Sequence, residues 1–202
     1  MRVLVACEFS GTVRQAFRRL GHDAWSCDLL PADDGGPHIQ GDVTSVLGDG
    51  WDVMVAHPPC THLASSGARH FHRKRLEQRE ALEFVQCLLD APIRFIALEN
   101  PVGVISTAIR KPDQIIQPYQ FGHPESKKTC LWLKNLPPLE PSDVLPDRGR
   151  WENQTPSGQN RLPPSADRWK KRSLTYKGIA AAMAKQWGAH AAGLLSANPS
   201  SN

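Results

Sequence analysis

Trp51-Asp52-Val53-Met54-Val55-Ala56-His57-Pro58-Pro59-Cys60 is an apolar run that halts at two prolines and a cysteine. Residues 51–56 are too short for a helix and rich in aliphatic side chains, which predicts a buried strand. A second such run, residues 93–98, leads into Glu99-Asn100-Pro101. In an open α/β sheet the ligand crevice lies just past the carboxyl ends of the strands. Cys60 and Glu99 are therefore expected to meet there, some forty residues apart in sequence. A thiol beside a carboxyl group suits covalent catalysis on an electron-poor ring. The thiolate attacks, and the carboxyl group protonates the ring nitrogen that receives the charge.

The rest of the chain alternates strand and helix patterns around these two runs. Residues 3–6 read as a first strand, and 11–20 as a helix with Val13, Ala16, Phe17 and Leu20 as its apolar stripe, stopped by Gly21. Residues 24–27 read as a second strand ending at Asp28. Residues 31–36 form an acidic, glycine-bearing loop, expected to be mobile. A basic loop, residues 69–75, precedes a helix whose apolar face is Leu82, Val85, Leu88 and Leu89. This alternation predicts an α/β fold with a mainly parallel, doubly wound sheet covered on both faces. Residues 136–164 are proline-rich and read as an extended connection without a core of its own. Residues 179–187 read as a closing helix packing Ile179, Ala182, Met183 and Trp187, and 196–202 as a disordered tail.

The chain's 202 residues are expected to form a single domain. A net charge of +4 permits a phosphate-bearing partner without demanding one. Five cysteines without a CxxC pair argue against a disulfide framework or a structural zinc site. His57, His62, His70 and His72 lack cysteine or carboxylate partners at ligand spacing, so no metal is expected. No run reaches the length of a membrane span and no signal peptide is evident, which predicts a cytoplasmic protein.

Pro59-Cys60-Thr61-His62-Leu63-Ala64-Ser65-Ser66-Gly67 resembles the catalytic loop of the DNA cytosine-5 methyltransferases, with Leu63-Ala64 where that family has Phe-Ser. The resemblance continues in order along nearly the whole chain. Val5-Ala6-Cys7-Glu8-Phe9-Ser10-Gly11-Thr12-Val13 is similar to the family's first cofactor loop, Asp28 stands at its ribose-binding acid, and Gly41-Asp42-Val43 resembles its adenine-recognising element. Glu99-Asn100-Pro101 resembles Glu-Asn-Val. The segment from Tyr119 to Thr129 resembles Tyr-Gly-x-Pro-Gln-x-Arg-x-Arg, with Thr129 in place of the second arginine.

This resemblance implies a Rossmann-like methyltransferase fold with an antiparallel hairpin at one edge, residues 129–133 giving one strand. It implies S-adenosyl-L-methionine as cofactor, held by Phe9, Ser10, Gly11, Thr12, Asp28, Leu29, Asp42, Val43 and Pro58. It makes Cys60 the nucleophile toward C6 of cytosine and Glu99 the acid, its pKa raised by burial. Pro59, Asn100, Lys127, Lys128, Arg69 and Arg73 fall on the substrate side. The turn at Phe9-Ser10-Gly11 adds a helix N-terminus, which suits the cofactor's carboxylate.

The chain departs from the pattern in one large respect. The variable region that reads the DNA target is reduced to the proline-rich connection, as in compact enzymes of phages, which work in the host cytoplasm. Three consequences follow: loose specificity on DNA, a protein partner for target recognition, or a free deoxycytidine nucleotide as substrate. A further alternative is a non-catalytic DNA-binding protein on the same frame.

Overall fold

The computed structural model describes residues 1–66, 74–147, 149–158 and 160–197. Within them β1 (Arg2–Ala6), β2 (Asp23–Asp28), β3 (His38–Gln40), β4 (Val53–Ala56), β5 (Phe95–Pro101), β6 (Gln114–Ile116) and β7 (Thr129–Lys134) build one sheet, ordered 3-2-1-4-5-7-6. The first five strands are mutually parallel, whereas β7 runs antiparallel to both β5 and β6. From β1 the chain winds outward to β2 and β3, then returns to place β4 and β5 on the other side. The crevice of such a sheet opens at this reversal, beyond the carboxyl ends of β1 and β4.

Side-chain alternation along the strands creates the two covered faces. Val3, Val5, Val53, Val55, Phe95, Ala97 and Leu131 pack against α1 (Thr12–Arg19) and the closing helix. That helix runs as α5 (Lys177–Ala182), a π turn (Met183–Trp187) and α6 (Gly188–Ala197), presenting Ile179, Met183 and Trp187. Leu4, Ala6, Met54, Ala56, Ile96, Leu98 and Trp132 face α2 (Arg75–Leu89) through Val85 and Leu88. Leu63 and Ile105, the latter on the short α3 (Ile105–Ala108), complete this layer. No helix among the described residues is long and apolar enough to cross a membrane.

Several expectations are corrected. Leu20 is not on the buried stripe of α1, because the helix has ended by then and its side chain is 52% exposed. Arg14 takes a core position instead, fully buried. The loop at 31–36, expected to be mobile, is joined to the body through Asp34. Arg14 pairs with Asp34, and its Nη1 donates to Ser26 Oγ at 2.7 Å and to the Pro37 carbonyl at 3.2 Å. The proline-rich connection packs onto the main core, with Leu136 and Leu139 buried against the α5 side and Trp187 Nε1 donating to the Pro137 carbonyl. Of the expected tail, Ser196 and Ala197 belong to α6, and the remainder lies outside the described residues. α4 (Arg168–Ser173) carries little apolar periodicity and was not foreseen.

Burial alone would raise the Asp34 carboxyl, but hydrogen bonds from Arg14, the Gly36 amide and Gln15 hold it down at about 2. A depressed carboxylate pKa contributes stability above its unfolded value of about 3.9, lost as pH falls through the folded value. Arg14→Met should therefore cost about 2–4 kcal/mol at neutral pH, from lost charged hydrogen bonds and an abandoned carboxylate. Urea titrations should also show wild type losing its advantage over the variant between about pH 4 and pH 2. A constant gap across that window would contradict the pairing.

Candidate active site

The β4 exit loop is anchored at three levels. Pro58 is buried, and its carbonyl accepts from Asn100 Nδ2 at 2.8 Å. The amides of Leu63 and Ala64 fold back onto the Cys60 carbonyl at 3.1 and 2.9 Å, making one tight turn under the thiol. Beyond it, Ser65 N donates to the Val102 carbonyl and Val104 N to the Leu63 carbonyl, both at 2.9 Å. Gly103 is the contact point: a Cβ there would lie 1.9 Å from the Leu63 carbonyl oxygen.

Glu99 was expected just past the end of its strand, yet β5 runs on to Pro101. The parallel partner stops at Ala56, opposite Leu98, while antiparallel β7 continues the ladder with Glu99 opposite Leu131 and Pro101 opposite Thr129. Glu99 therefore stands beyond β4 but on a paired strand, which fixes it better than a loop would. Its side chain is 17% exposed, and its Oε2 lies 3.5 Å from His57 Nδ1.

The raised pKa expected for Glu99 is also corrected. Burial pushes it up, but a hydrogen bond from His57, the charges of Lys127 and His57, and the Thr129 hydroxyl outweigh burial and leave it lowered. Cys60 is exposed, yet its thiol pKa is raised. Crowding by neighbouring atoms is the main cause and the Glu99 carboxylate the second, opposed by Lys127 and Arg172. The two candidate catalytic groups thus feel one another and share Lys127.

On the cofactor side, Phe9, Ser10, Gly11 and Thr12 form the β1-to-α1 turn, with Gly11 at φ 72° as the helix cap. The helix N-terminus is not open to an outside anion, as the sequence had suggested. The buried Glu8 carboxylate already accepts from Val13 N at 2.7 Å and Arg14 N at 3.2 Å. A carboxylate carries the charge that this helix end favours, so the chain supplies its own.

Asp28 ends β2, with Oδ1 accepting from Leu30 N at 2.9 Å, and Leu29 beside it is exposed. Asp42 caps the 3-10 turn at Val43–Val46, its pKa lowered by the Thr44 amide and hydroxyl, while Val43 is buried. Both acids act on Cys7, whose thiol is pushed up to about 12, by burial first and Asp28 next. These two carboxylates are acceptors of the kind that a ribosyl or amino group requires.

Residues that sequence reasoning missed close the crevice. α4 lays Trp169 over Phe9, with ring centres 6.0 Å apart, and Lys170 Nζ lies 5.2 Å from the same ring. Lys170 also bonds Asp33 Oδ1 at 2.7 Å, tying α4 to the far side. The space left between Cys7–Ser10, His57 and Ser173–Thr175 is about 40 Å³, little more than one water's share of liquid volume. A larger cavity of about 490 Å³, beside Phe95 and His190, contains none of the candidate residues.

The remaining candidates divide. Pro59 is exposed next to Cys60, and Lys128 is exposed on the approach to β7. Lys127 turns inward: Nζ donates to the Arg172 carbonyl at 2.9 Å and sits 5.9 Å from the Tyr176 ring centre. Arg69 and Arg73 lie outside the described residues. Among the described residues no group of three or more His, Cys, Asp or Glu could hold a metal ion.

No protein-family model matches the chain, and no curated protein matches it. Among solved structures it is similar to a protein described as a DNA modification methyltransferase encoded within an E. coli prophage. That match has a TM-score of 0.50 and 15% identity, over 72% of this chain and 52% of the other. It is also similar to a mutant of Spodoptera frugiperda DNMT2, with a TM-score of 0.46 and 16% identity, over 71% of this chain and 54% of the other. The chain thus spans about half the length of these structures. At such identity the likeness is one of fold, and the sheet described above is the Rossmann-like arrangement of methyltransferases.

Gly103→Ala tests the clasp directly. The new Cβ must push the Leu63 carbonyl away, so a loss of about 1–3 kcal/mol is expected, as for an overpacked contact. Hydrogen exchange should rise at the amides of Leu63 and Val104. Wild-type protection at both amides would refute the contact.

Proposed function

We propose that the protein is a compact S-adenosylmethionine-dependent methyltransferase of phage type that modifies C5 of cytosine in DNA. In this reading the base is held by a covalent bond between Cys60 and C6, and the enzyme acts in the cytoplasm of the host cell. The observation that carries it is the clasp of the Cys60 loop to the strand bearing Glu99, so that thiol and carboxylate share one crevice and one lysine. When bound, S-adenosylmethionine supplies an electrophilic methyl group. Asp28 accepts from its ribose hydroxyls, and Asp42 with Val43 meets the adenine. Phe9 and Leu29 give apolar walls. Ser10, Gly11, Thr12 and Pro58 border the rest.

The chemistry follows from the two catalytic groups. A base swung out of the duplex enters beside Pro59. Glu99 donates a proton to N3, the Cys60 thiolate adds to C6, and the displaced ring electrons make C5 nucleophilic. After transfer a base removes the C5 proton, the C5–C6 double bond reforms and Cys60 leaves. Asn100 acts at one remove by holding the Pro58 carbonyl. Lys128, with Arg69 and Arg73, reaches phosphates and positions the strand without reading sequence.

A second reading, the same reaction on a free deoxycytidine nucleotide, is favoured by one specific observation. The connection at 136–164 lies down on the body instead of forming a reading domain. Trp151 stacks on Tyr119 with ring centres 4.3 Å apart, and Asn153 exchanges two hydrogen bonds with Ser126. On the DNA reading, specificity would be loose, or supplied by a protein partner.

Incubation with labelled cofactor and either duplex DNA or deoxycytidine nucleotide separates the two readings, with label expected in the DNA. Label in the mononucleotide alone would move the function to the nucleotide pool, and label in neither would overturn both. Cys60→Ser should abolish the denaturant-resistant complex with DNA containing 5-fluorocytosine. A surviving complex would exclude Cys60 as nucleophile.

Two further variants separate binding from chemistry. Asp28→Ala should weaken S-adenosylhomocysteine binding by about 1.5–3 kcal/mol by calorimetry, the worth of hydrogen bonds to a charged group. Glu99→Gln should leave that affinity alone while slowing transfer by about 10²–10⁴-fold, the range for a positioned acid. The opposite pattern in either variant would exchange the assigned roles.

A further inference from the structure

α4 places four cations within five residues: Arg168, Lys170, Lys171 and Arg172. The ordinary fate of such a run is a solvated face stitched together by ion pairs. Two of the four meet that fate. Lys170 holds Asp33 Oδ1 and Lys171 holds Asp167 Oδ2, each at 2.7 Å. The guanidinium groups of Arg168 and Arg172 have no hydrogen-bond or ion-pair partner among the described residues. Arginines elsewhere are used differently, as Arg14 and Arg110 each hold an aspartate.

The two free arginines stand four residues apart, so they share one face of the helix and lie about 6 Å apart along its axis. Lys170 points the other way, to Asp33 in the loop after β2. That pair and the contact of Trp169 with Phe9 fix the helix, so the arginine face is held in place. It borders the crevice on the side of the nucleophile. Lys127 Nζ donates to the Arg172 carbonyl at 2.9 Å, and Ser173, Leu174 and Thr175 line the small cavity with Cys7 and His57. The Arg172 charge also reaches the Cys60 thiol, where it favours the ionised form.

The chemistry proposed for Cys60 says what belongs beside it. C6 of cytosine is bonded to N1, the ring nitrogen that carries the sugar. A thiol that attacks C6 therefore works next to the deoxyribose and its 5′-phosphate. Lys127 is already engaged there, with its ammonium on the Arg172 carbonyl and its charge acting on both Cys60 and Glu99. Arg172 is exposed and uncommitted. A guanidinium offers two parallel N–H donors to two phosphate oxygens, a match that an ammonium lacks. Successive phosphates of one strand are separated by a distance comparable to a helical turn, which brings Arg168 to the next of them.

We propose that α4 is a phosphate-binding element: Arg172 grips the phosphate of the target nucleotide, and Arg168 grips the neighbouring phosphate of the same DNA strand. This rests on the methyltransferase reading above. The pair reads no sequence, because the phosphate is the same at every position. It sets the register of the strand against Cys60.

Binding of a labelled duplex of about 20 base pairs, followed by fluorescence anisotropy from about 50 to 300 mM salt, tests the pair. Each phosphate contact adds about 0.9 to the slope of log affinity against log salt. Arg172→Gln should lower the slope by about 1, and the double variant Arg168→Gln/Arg172→Gln by about 2. Arg172→Lys keeps the charge and should restore the slope. Lys171→Gln removes an equal charge from the next position, but from a lysine that is already paired, and should leave the slope unchanged. Neither arginine side chain has an internal partner, so melting temperatures should stay close to wild type. An unchanged slope in the double variant would overturn the proposal, as would wild-type protein that does not bind the duplex. Equal losses in Lys171→Gln and Arg172→Gln would reduce the effect to net charge and overturn it too.

A second measurement places the contact. In a duplex with one 5-fluorocytosine, a neutral methylphosphonate at the linkage 5′ of that base should slow formation of the Cys60 complex by about fivefold or more in wild type. In Arg172→Gln it should slow it by less than about twofold, because the partner of that phosphate is already gone. Equal slowing in both would show that Arg172 does not meet this phosphate. Methyl transfer to DNA with an unchanged salt slope would remove the role of α4 and leave the proposed function standing. The expected fall in slope without methyl transfer to any cytosine would do the reverse.

Discussion

The arrangement depends on one close approach of backbone to backbone. Gly103 lies so near the Leu63 carbonyl that no side chain fits between them, and Ala64 pairs with Gly103 as an isolated bridge. With the Asn100–Pro58 bond this clasps the segment after β4 to the segment after β5. Neither segment would be fixed alone, since each ordered residue costs conformational entropy. Clasped, they define a single relative position for Cys60 and Glu99, and antiparallel β7 stiffens it by continuing the ladder past the end of β4. The cost of ordering the site is met by main-chain hydrogen bonds, which leaves the side chains free for chemistry.

A second constraint shapes the cofactor side, and it is electrostatic. Arg14 is a buried cation in the apolar layer beneath α1, tolerated because Asp34, Ser26 and the Pro37 carbonyl surround its head. Ser26 in turn bonds His38 Nδ1 at 2.8 Å, and His38 Nε2 meets the Leu30 carbonyl at 2.9 Å. This network sets the path of residues 29–37 and so the wall beside Asp28. Glu8 fixes the opposite wall by occupying the α1 N-terminus itself. A turn that resembles an anion site in sequence is, in three dimensions, a self-capped helix.

The fold was legible because its signals are local. Short aliphatic runs ending in Asp28, Pro58 and Glu99 mark strands, and alternation with helices leaves few topologies for a parallel sheet. What escaped reading was contact between distant residues. Arg14 looks like any surface arginine until Ser26 and Asp34 come round to meet it, and no spacing rule connects the three. Glu99 was read as raised because burial was legible and its partners were not: His57, Lys127 and Thr129 arrive from three other segments. His57 was weighed only as a metal ligand, because nothing in its neighbours along the chain points to a carboxylate forty-two residues away. α4 has no apolar stripe to announce it, being held by Lys170–Asp33, the Lys127 bond to the Arg172 carbonyl and aromatic contact with Phe9.

Helix α4 and the short connection bear on one another. α4 follows the connection directly, and Lys127, on the loop that Asn153 grips at Ser126, also holds the Arg172 carbonyl of α4. The loop that carries Lys127 is thus joined both to the connection and to α4. On the proposed reading, the position of α4 and the charge balance at the thiol are then not independent: moving α4 carries away Arg172, and the Lys127 ammonium gains freedom as its carbonyl partner leaves. A connection packed in this way does more than span a gap. It joins α4 to the loop of Lys127 beside Cys60 and Glu99.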